Sequence, residues 1–227
     1  MNAAKHILAI DTCGPTGSVA LGRIAGDALE VLDQRELEGR SYSATLIGAV
    51  GELLTAAHLK VSLLHAMVAV NGPGSFTGVR VGLAAVKGLA EAAQIPVVAV
   101  SRLEVLAAKA QVASAALDAH RHEIFLRVGE GATQELLVGS AELAAIDSAP
   151  RKIAVCDEAA AALLRAAWPR TELIESAAPT AADALHLCAA RVAKGEFTDL
   201  ILLDGHYLRR SDAEIFGAKE TAGAKSA

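Results

Sequence analysis

The chain has 227 residues, a net charge of −5 and a pI near 5.8, and is 53% hydrophobic but only 3% aromatic. That length supports one large domain or two small lobes around a real core. The acidic balance, with no basic run, argues against a self-sufficient nucleic-acid binder. No apolar run reaches the roughly 20 residues of a membrane-spanning helix. The first apolar residues run straight into Asp11, which reads as a strand rather than a signal peptide, so a cytoplasmic location is expected. Cys13, Cys156 and Cys188 are odd in number and far apart, without C-x-x-C spacing, as free thiols in a reducing compartment would be.

Ile7 to Asp11 reads as a strand ending in a carboxylate, and Gly14, Pro15 and Gly17 as a turn. Ser18–Gly22 and Leu29–Leu37, separated by a Gly26–Asp27 turn, complete a three-strand meander. Leu46, Ile47, Val50, Leu53, Leu54 and Ala57 recur at helical spacing, so Ser41–Ala57 is an amphipathic helix. An apolar strand, Ala66–Val70, leads into a Gly-Pro-Gly turn and a second helix, from about Thr77 to Gln94. Ile95–Val100 is the next strand. Ser101 and Glu104 then have capping-box spacing for a third helix.

Beyond that point, Ser114–Asp118 and Glu123–Val128 read as strands around a polar turn, with Leu136–Val138 as a third. Ile153–Cys156 is a strand, Asp157–Ala167 a helix stopped at Trp168-Pro169, and Leu173–Glu175 a short strand. Pro179 opens a last helix that Gly195 ends. Element order predicts an α/β protein with a two-lobed actin-like (ASKHA, ribonuclease-H-like) fold and a reduced second lobe. Its divisions would be 1–101, 102–217 and a disordered tail, 218–227.

Two features carry candidate chemistry. Asp11, Thr12 and Gly17 sit where actin-like ATPases place a phosphate loop, and Gly72, Gly74 and Ser75 form a second Gly-rich turn before a helix. The competing readings are a turn-capping Asp and an N-cap Ser. The second turn lacks the Lys of a Walker motif. Arg80 lies in the first helical turn, where a cation is disfavoured, which points to a carboxylate or phosphate on a partner. The other feature is a stripe of small residues, Gly78, Gly82 and Ala85, that would let another helix approach. The seven histidines show no ligand spacing, and no nucleophile arrangement can be assembled. Asp118 and Glu123 flank one turn and read as a solvated loop.

The strings ILAIDTCGPTGSVAL, NGPGSFTGVRVGLAAVKGLA and IPVVAVSRLEVLA together resemble the TsaB (YeaZ) family, and ALDAHRHEIF and HYLRR resemble two further family segments. Tyr42-Ser43 stands where many members carry His-Ser, and His122 where a Gly is common. The resemblance implies a non-catalytic subunit in the formation of threonylcarbamoyladenosine on tRNA. It implies pairing with the transferase TsaD, joined by the ATPase TsaE, and homodimers through the same face when TsaD is lacking. It places that face on the two first-lobe helices, with Tyr42, Leu46, Val50, Gly78, Val81, Gly82, Ala85 and Leu89 as candidates. No metal or required cofactor is expected. A nucleotide contact at the partner interface would use Asp11, Thr12, Gly17, Gly72, Gly74, Ser75 and Arg80. The rival function is an actin-like ATPase, a small-molecule kinase or a peptidase-like remnant.

Overall fold

The computed structural model describes residues 4–26, 28–39, 41–129 and 133–209. Asp27 of the second turn, Arg210 of the HYLRR string and the tail from 218 onward lie outside the described residues.

Among the described residues ten strands form two five-stranded sheets. The first contains β1 (Lys5–Asp11), β2 (Thr16–Ala25), β3 (Ala28–Glu38), β4 (Leu64–Val70) and β5 (Val97–Val100), in the order β3-β2-β1-β4-β5. Its first three strands are antiparallel; β4 and β5 run parallel to β1. The second contains β6 (Ala115–Asp118), β7 (Glu123–Val128), β8 (Gln134–Gly139), β9 (Lys152–Val155) and β10 (Glu172–Glu175), in the order β10-β9-β6-β7-β8. Read from the other edge this is the same topology, with the same strand directions. The chain therefore has the two-lobed actin-like fold, and the second lobe is reduced through shorter strands rather than fewer.

The helices are α1 (Tyr42–Ala56), α2 (Phe76–Ala93), α3 (Arg102–Lys109), α4 (Ser140–Ala144), α5 (Glu158–Ala167) and α6 (Ala181–Lys194). The short α4 escapes sequence periodicity because five residues make little more than one turn. Among the described residues no helix is long and apolar enough to cross a membrane.

Ile7, Leu8, Ala9 and Ile10 are all buried, so both faces of β1 are covered. α1 and α2 touch each other and pack on one face of the first sheet, while α6 packs across its strands and against α3. Element order groups α6 with the second half of the chain, but its contacts are with the first sheet. Leu185, Cys188 and Val192 join that sheet's core, Ala181 N–H donates to Ser18 Oγ (2.8 Å), and Arg191 donates to Ala99 O (2.9 Å). Conversely α3, which follows β5, packs its Leu103, Leu106 and Ala107 with Ala115, Leu117 and Phe125 of the second sheet. Each lobe thus receives a helix from the end of the other.

Helix ends follow local chemistry. Ser75 accepts from Gly78 N–H, Asp157 from Ala160 N–H, and Gly195 adopts φ +74 to end α6. Ser101 accepts from Leu103 N–H, and its own hydroxyl donates to Glu135 Oε2 at 2.6 Å. Cys13 and Cys188 are buried free thiols, and burial pushes the Cys188 thiol up to about 12.

Candidate partner-binding face and the filled phosphate loop

The turn between β1 and β2 is packed with the chain's own groups. Asp11 is 1% exposed; its Oδ2 lies 3.5 Å from Arg102 Nε, and its Oδ1 accepts from Cys13 N–H at 2.8 Å. Burial is the largest single influence and disfavours charge on the Arg102 guanidinium, but Asp11, Cys13 and Cys156 together outweigh it and hold that pKa above its usual value. Thr12 Oγ1 donates to Gly78 O at 2.7 Å, and Tyr42 OH donates to Gly14 O at 2.7 Å. Burial, reinforced by Asp11, pushes the Tyr42 phenol up to about 12.

The glycines here are explained by close approach. A Cβ on Gly14 would lie 2.3 Å from an Arg102 nitrogen, and one on Gly17 2.8 Å from both Asp11 O and the Tyr42 ring. In the second turn, a Cβ on Gly74 would lie 2.2 Å from Cys13 O. Gly72 has φ +110 and its carbonyl accepts from Arg102 N–H at 2.6 Å. Ser75 N–H donates to Cys13 O at 2.7 Å. The two Gly-rich turns therefore bind each other and Arg102. The backbone donors of Cys13 and Ser75, which would cradle a phosphate, are spent inside the chain. Of the sequence candidates for phosphate contact, Asp11, Thr12, Gly17, Gly72 and Gly74 belong to this packed junction, and Ser75 is the N-cap of α2. Arg80 projects from it to the surface.

The predicted helix stripe is also corrected. A Cβ on Gly78 would lie 2.0 Å from Thr12 O and one on Gly82 2.3 Å from Thr12 Oγ1. Both glycines face the chain's own interior, where they let α2 sit close to the β1–β2 turn. Tyr42, Leu46 and Val50 are likewise core residues, at 6%, 1% and 3% exposure. Val81, Ala85 and Leu89 are half-buried at the margin.

The outward face is built from other residues. On α1 it carries Ala44, Ile47, Gly48 and Gly51; on α2, Arg80, Ala84 and Gly88. The α1 positions have the i, i+3, i+4 and i+7 spacing of one helical surface, and the α2 positions follow at i, i+4 and i+8. Ile47 is 55% exposed, and a Cβ on Gly48, Gly51 or Gly88 would meet nothing within 4 Å. Beside Gly88, a shallow hollow is lined by Lys87, Glu91, Leu200 and Ile201, and Ile201 and Leu202 are 88% and 76% exposed. The signal for this phase was in the sequence. Leu46, Val50, Leu53 and Leu54 carry the bulk a sheet requires, which leaves Ala44, Ile47, Gly48 and Gly51 on the other side.

The β6–β7 turn lies elsewhere. His120, Arg121 and His122 all have positive φ, and Asp118 pairs with His120 Nδ1 at 2.8 Å. Glu123 instead pairs with Arg209, so Asp118 and Glu123 do not act as one carboxylate pair. Among the described residues no group of three His, Cys, Asp or Glu is placed to hold a metal ion.

A family model described as "TsaD: tRNA N6-adenosine threonylcarbamoyltransferase" matches residues 34–156. The chain is 34% identical over 125 residues to the tRNA threonylcarbamoyladenosine biosynthesis protein TsaB of Haemophilus influenzae, covering 52% of this chain and 51% of that one. The TsaB of Bacillus subtilis is 36% identical over 123 residues, 52% of each chain. A crystal structure from Pseudomonas aeruginosa, described as an uncharacterized protein with similarity to peptidase YeaZ, superposes with a TM-score of 0.70 at 27% identity, covering 90% of this chain and 100% of that one.

The chain belongs to the TsaB (YeaZ) family.

The match spans about half the length of its curated TsaB relatives. A second solved structure, YeaZ from Pseudomonas aeruginosa, superposes with a TM-score of 0.68 at 25% identity over 90% of this chain and all of that one. The tRNA N6-adenosine threonylcarbamoyltransferase of Granulibacter bethesdensis is 41% identical over 69 residues, covering 30% of this chain and 19% of that one. TsaB character and a transferase-named model thus meet in one chain.

Proposed function

We propose that this TsaB-family chain is a non-catalytic subunit in threonylcarbamoyladenosine formation on tRNA, docking a TsaD transferase through the outer face of α1 and α2. The observation that carries this reading is that face: Ile47 is 55% exposed, and Gly48, Gly51 and Gly88 open onto empty space. A helix surface that is apolar on a second side needs a second partner. Small residues let a facing helix come within the 8–10 Å axial distance of close packing. TsaE joins the pair, tRNA is reached only through the assembly, and a second copy takes the face when TsaD is lacking. The resemblance of the chain to both TsaB relatives and the transferase-named model supports a paralogue as the partner.

The rival reading, an actin-like ATPase or kinase, needs an open phosphate loop. Arg102 lies over Gly14 and the Tyr42 ring against Gly17 at that place, which weighs against it.

Two-helix docking of this kind buries on the order of 1,200–2,000 Å² in total. The test is copurification and affinity measurement with the TsaD of the same organism, followed by a transferase assay with and without this chain. Gly48→Arg should abolish pairing and transferase stimulation while leaving the circular dichroism of the free chain unchanged and its melting temperature no lower. Wild-type affinity in that variant, or turnover of ATP by the isolated wild-type chain, overturns the proposal.

A further inference from the structure

The exposed face of α2 carries a cation that the other described residues leave without a polar partner. Arg80 Cζ lies 3.8 Å above the Phe76 ring centroid and 5.9 Å from that of Tyr207, and the two rings are 5.1 Å apart, tilted by 50°. Phe76 and Tyr207 are 37% and 39% exposed. Arg80 makes no hydrogen bond or ion pair among the described residues, and the first turn of α2 holds no acidic residue. Its five donors therefore meet no acceptor among the described residues, while cation–π attraction to the Phe76 ring holds the guanidinium over it.

The platform is rigidly mounted. Tyr207 comes from the segment after α6, which is pinned to both lobes. His206 N–H donates to Asn71 O at 2.7 Å, Asn71 Nδ2 donates to Asp204 O at 3.2 Å, and His206 Nε2 lies 2.8 Å from Glu135. Arg209 pairs with Glu123, and Leu203 and Leu208 pack into the cores on either side. A pre-positioned arginine loses less freedom on meeting a planar acceptor than a free one would.

We infer that Arg80, held over the Phe76 ring beside Tyr207, is an electrostatic anchor that takes a carboxylate of the partner protein docked on the α1–α2 face. The inference rests on the function proposed above and adds a specificity-determining contact to it. Two observations favour a protein carboxylate over an RNA phosphate. Arg80, Ala84 and Gly88 follow one another at four-residue intervals, so the cation sits on the edge of the small-residue face rather than in a basic groove. The chain as a whole is acidic, with a net charge of −5, and RNA binding needs several phosphate contacts rather than one.

The test measures the affinity of the full-length chain for TsaD at about 50 mM and about 500 mM salt, a range over which exposed charge pairs are progressively screened. Arg80→Met keeps the apolar stacking on Phe76 and removes the charge. It should weaken binding about tenfold at low salt, with a smaller deficit at high salt. Arg80→Lys should recover only part of the loss, because the planar fork is missing. Both variants should keep the wild-type melting temperature and self-association. Wild-type affinity for TsaD in Arg80→Met overturns the inference while leaving the docking proposal standing. So does a loss confined to self-association, or one confined to tRNA retention by the complex. Failure of the wild-type chain to bind TsaD overturns both.

Discussion

Glycine carries two opposite roles within one pair of helices, and the direction each residue faces decides which. Gly78 and Gly82 are inward, where a Cβ would strike Thr12 at 2.0 and 2.3 Å, the first contact being with backbone. Gly78→Ala must shift α2 away from the β1–β2 turn, and overpacking of this kind costs about 1–3 kcal/mol. It should also disturb the Thr12–Gly78 hydrogen bond. Gly48 and Gly88 are outward and unopposed, so Gly48→Ala and Gly88→Ala should raise stability by about 0.5–1 kcal/mol through helix propensity alone. Urea unfolding of the three variants checks both signs in one series. Destabilisation by Gly48→Ala comparable to that of Gly78→Ala would mean the outward face is packed after all. Asp11 and Arg102 set a second residue-scale expectation. Removing one partner of a buried ion pair strands the other, at a cost of about 3–5 kcal/mol, so Asp11→Ala should destabilise the chain far more than surface Asp33→Ala.

At the level of elements, the strands and long helices were legible because apolar spacing and Gly, Pro and Ser punctuation agree with the structure. Ser75, Asp157 and Gly195 cap α2, α5 and α6 where the sequence placed their ends. The site was less legible. Periodicity finds a stripe but not which stripe turns inward, so Gly78 and Gly82 read as a docking ridge although they serve the interior. The Arg102 junction leaves no local signal, since its partners Asp11 and Gly14 lie about ninety residues earlier. The Phe76–Tyr207 contact is equally remote in sequence.

Glu135 on β8 shows what such remote contacts do. It accepts from Ser101 at the start of α3, from Arg127 on β7 at 2.7 Å, and lies 2.8 Å from His206. Burial pushes its pKa up, but these bonds outweigh burial and hold it below the usual carboxylate value. A carboxylate whose pKa is depressed on folding stabilises the native state in full above its unfolded value. That contribution is lost as pH falls through the folded one. The wild-type unfolding free energy should therefore fall more steeply below the ordinary carboxylate range than that of Glu135→Gln, whose curve should be flatter and about 1–3 kcal/mol lower near neutrality. Parallel curves from pH titrations of urea unfolding would remove Glu135 from the acid response.

For the whole molecule, the exchange of α3 and α6 between lobes makes neither lobe complete in sequence. The first sheet closes only when a helix about eighty residues beyond β5 returns to it, and Lys109 on α3 pairs with Asp183 on α6 at 2.8 Å across the junction. Burying a Leu or Val side chain contributes roughly 1.5–3 kcal/mol, so Leu185 and Val192 alone supply about 3–6 kcal/mol. That is a large part of the ~5–15 kcal/mol by which a whole domain is stable. The lobes should consequently unfold together. Urea transitions followed by Trp168 fluorescence, which reports the second lobe's core, and by far-ultraviolet circular dichroism, which averages both lobes, should coincide. Truncation after Ala178 should leave the first sheet uncovered and yield a chain that binds hydrophobic dye and loses the cooperative transition in both probes. If the truncated chain instead kept a sharp transition by fluorescence, the second lobe would be an independent unit, and α6 a cover for the first sheet alone.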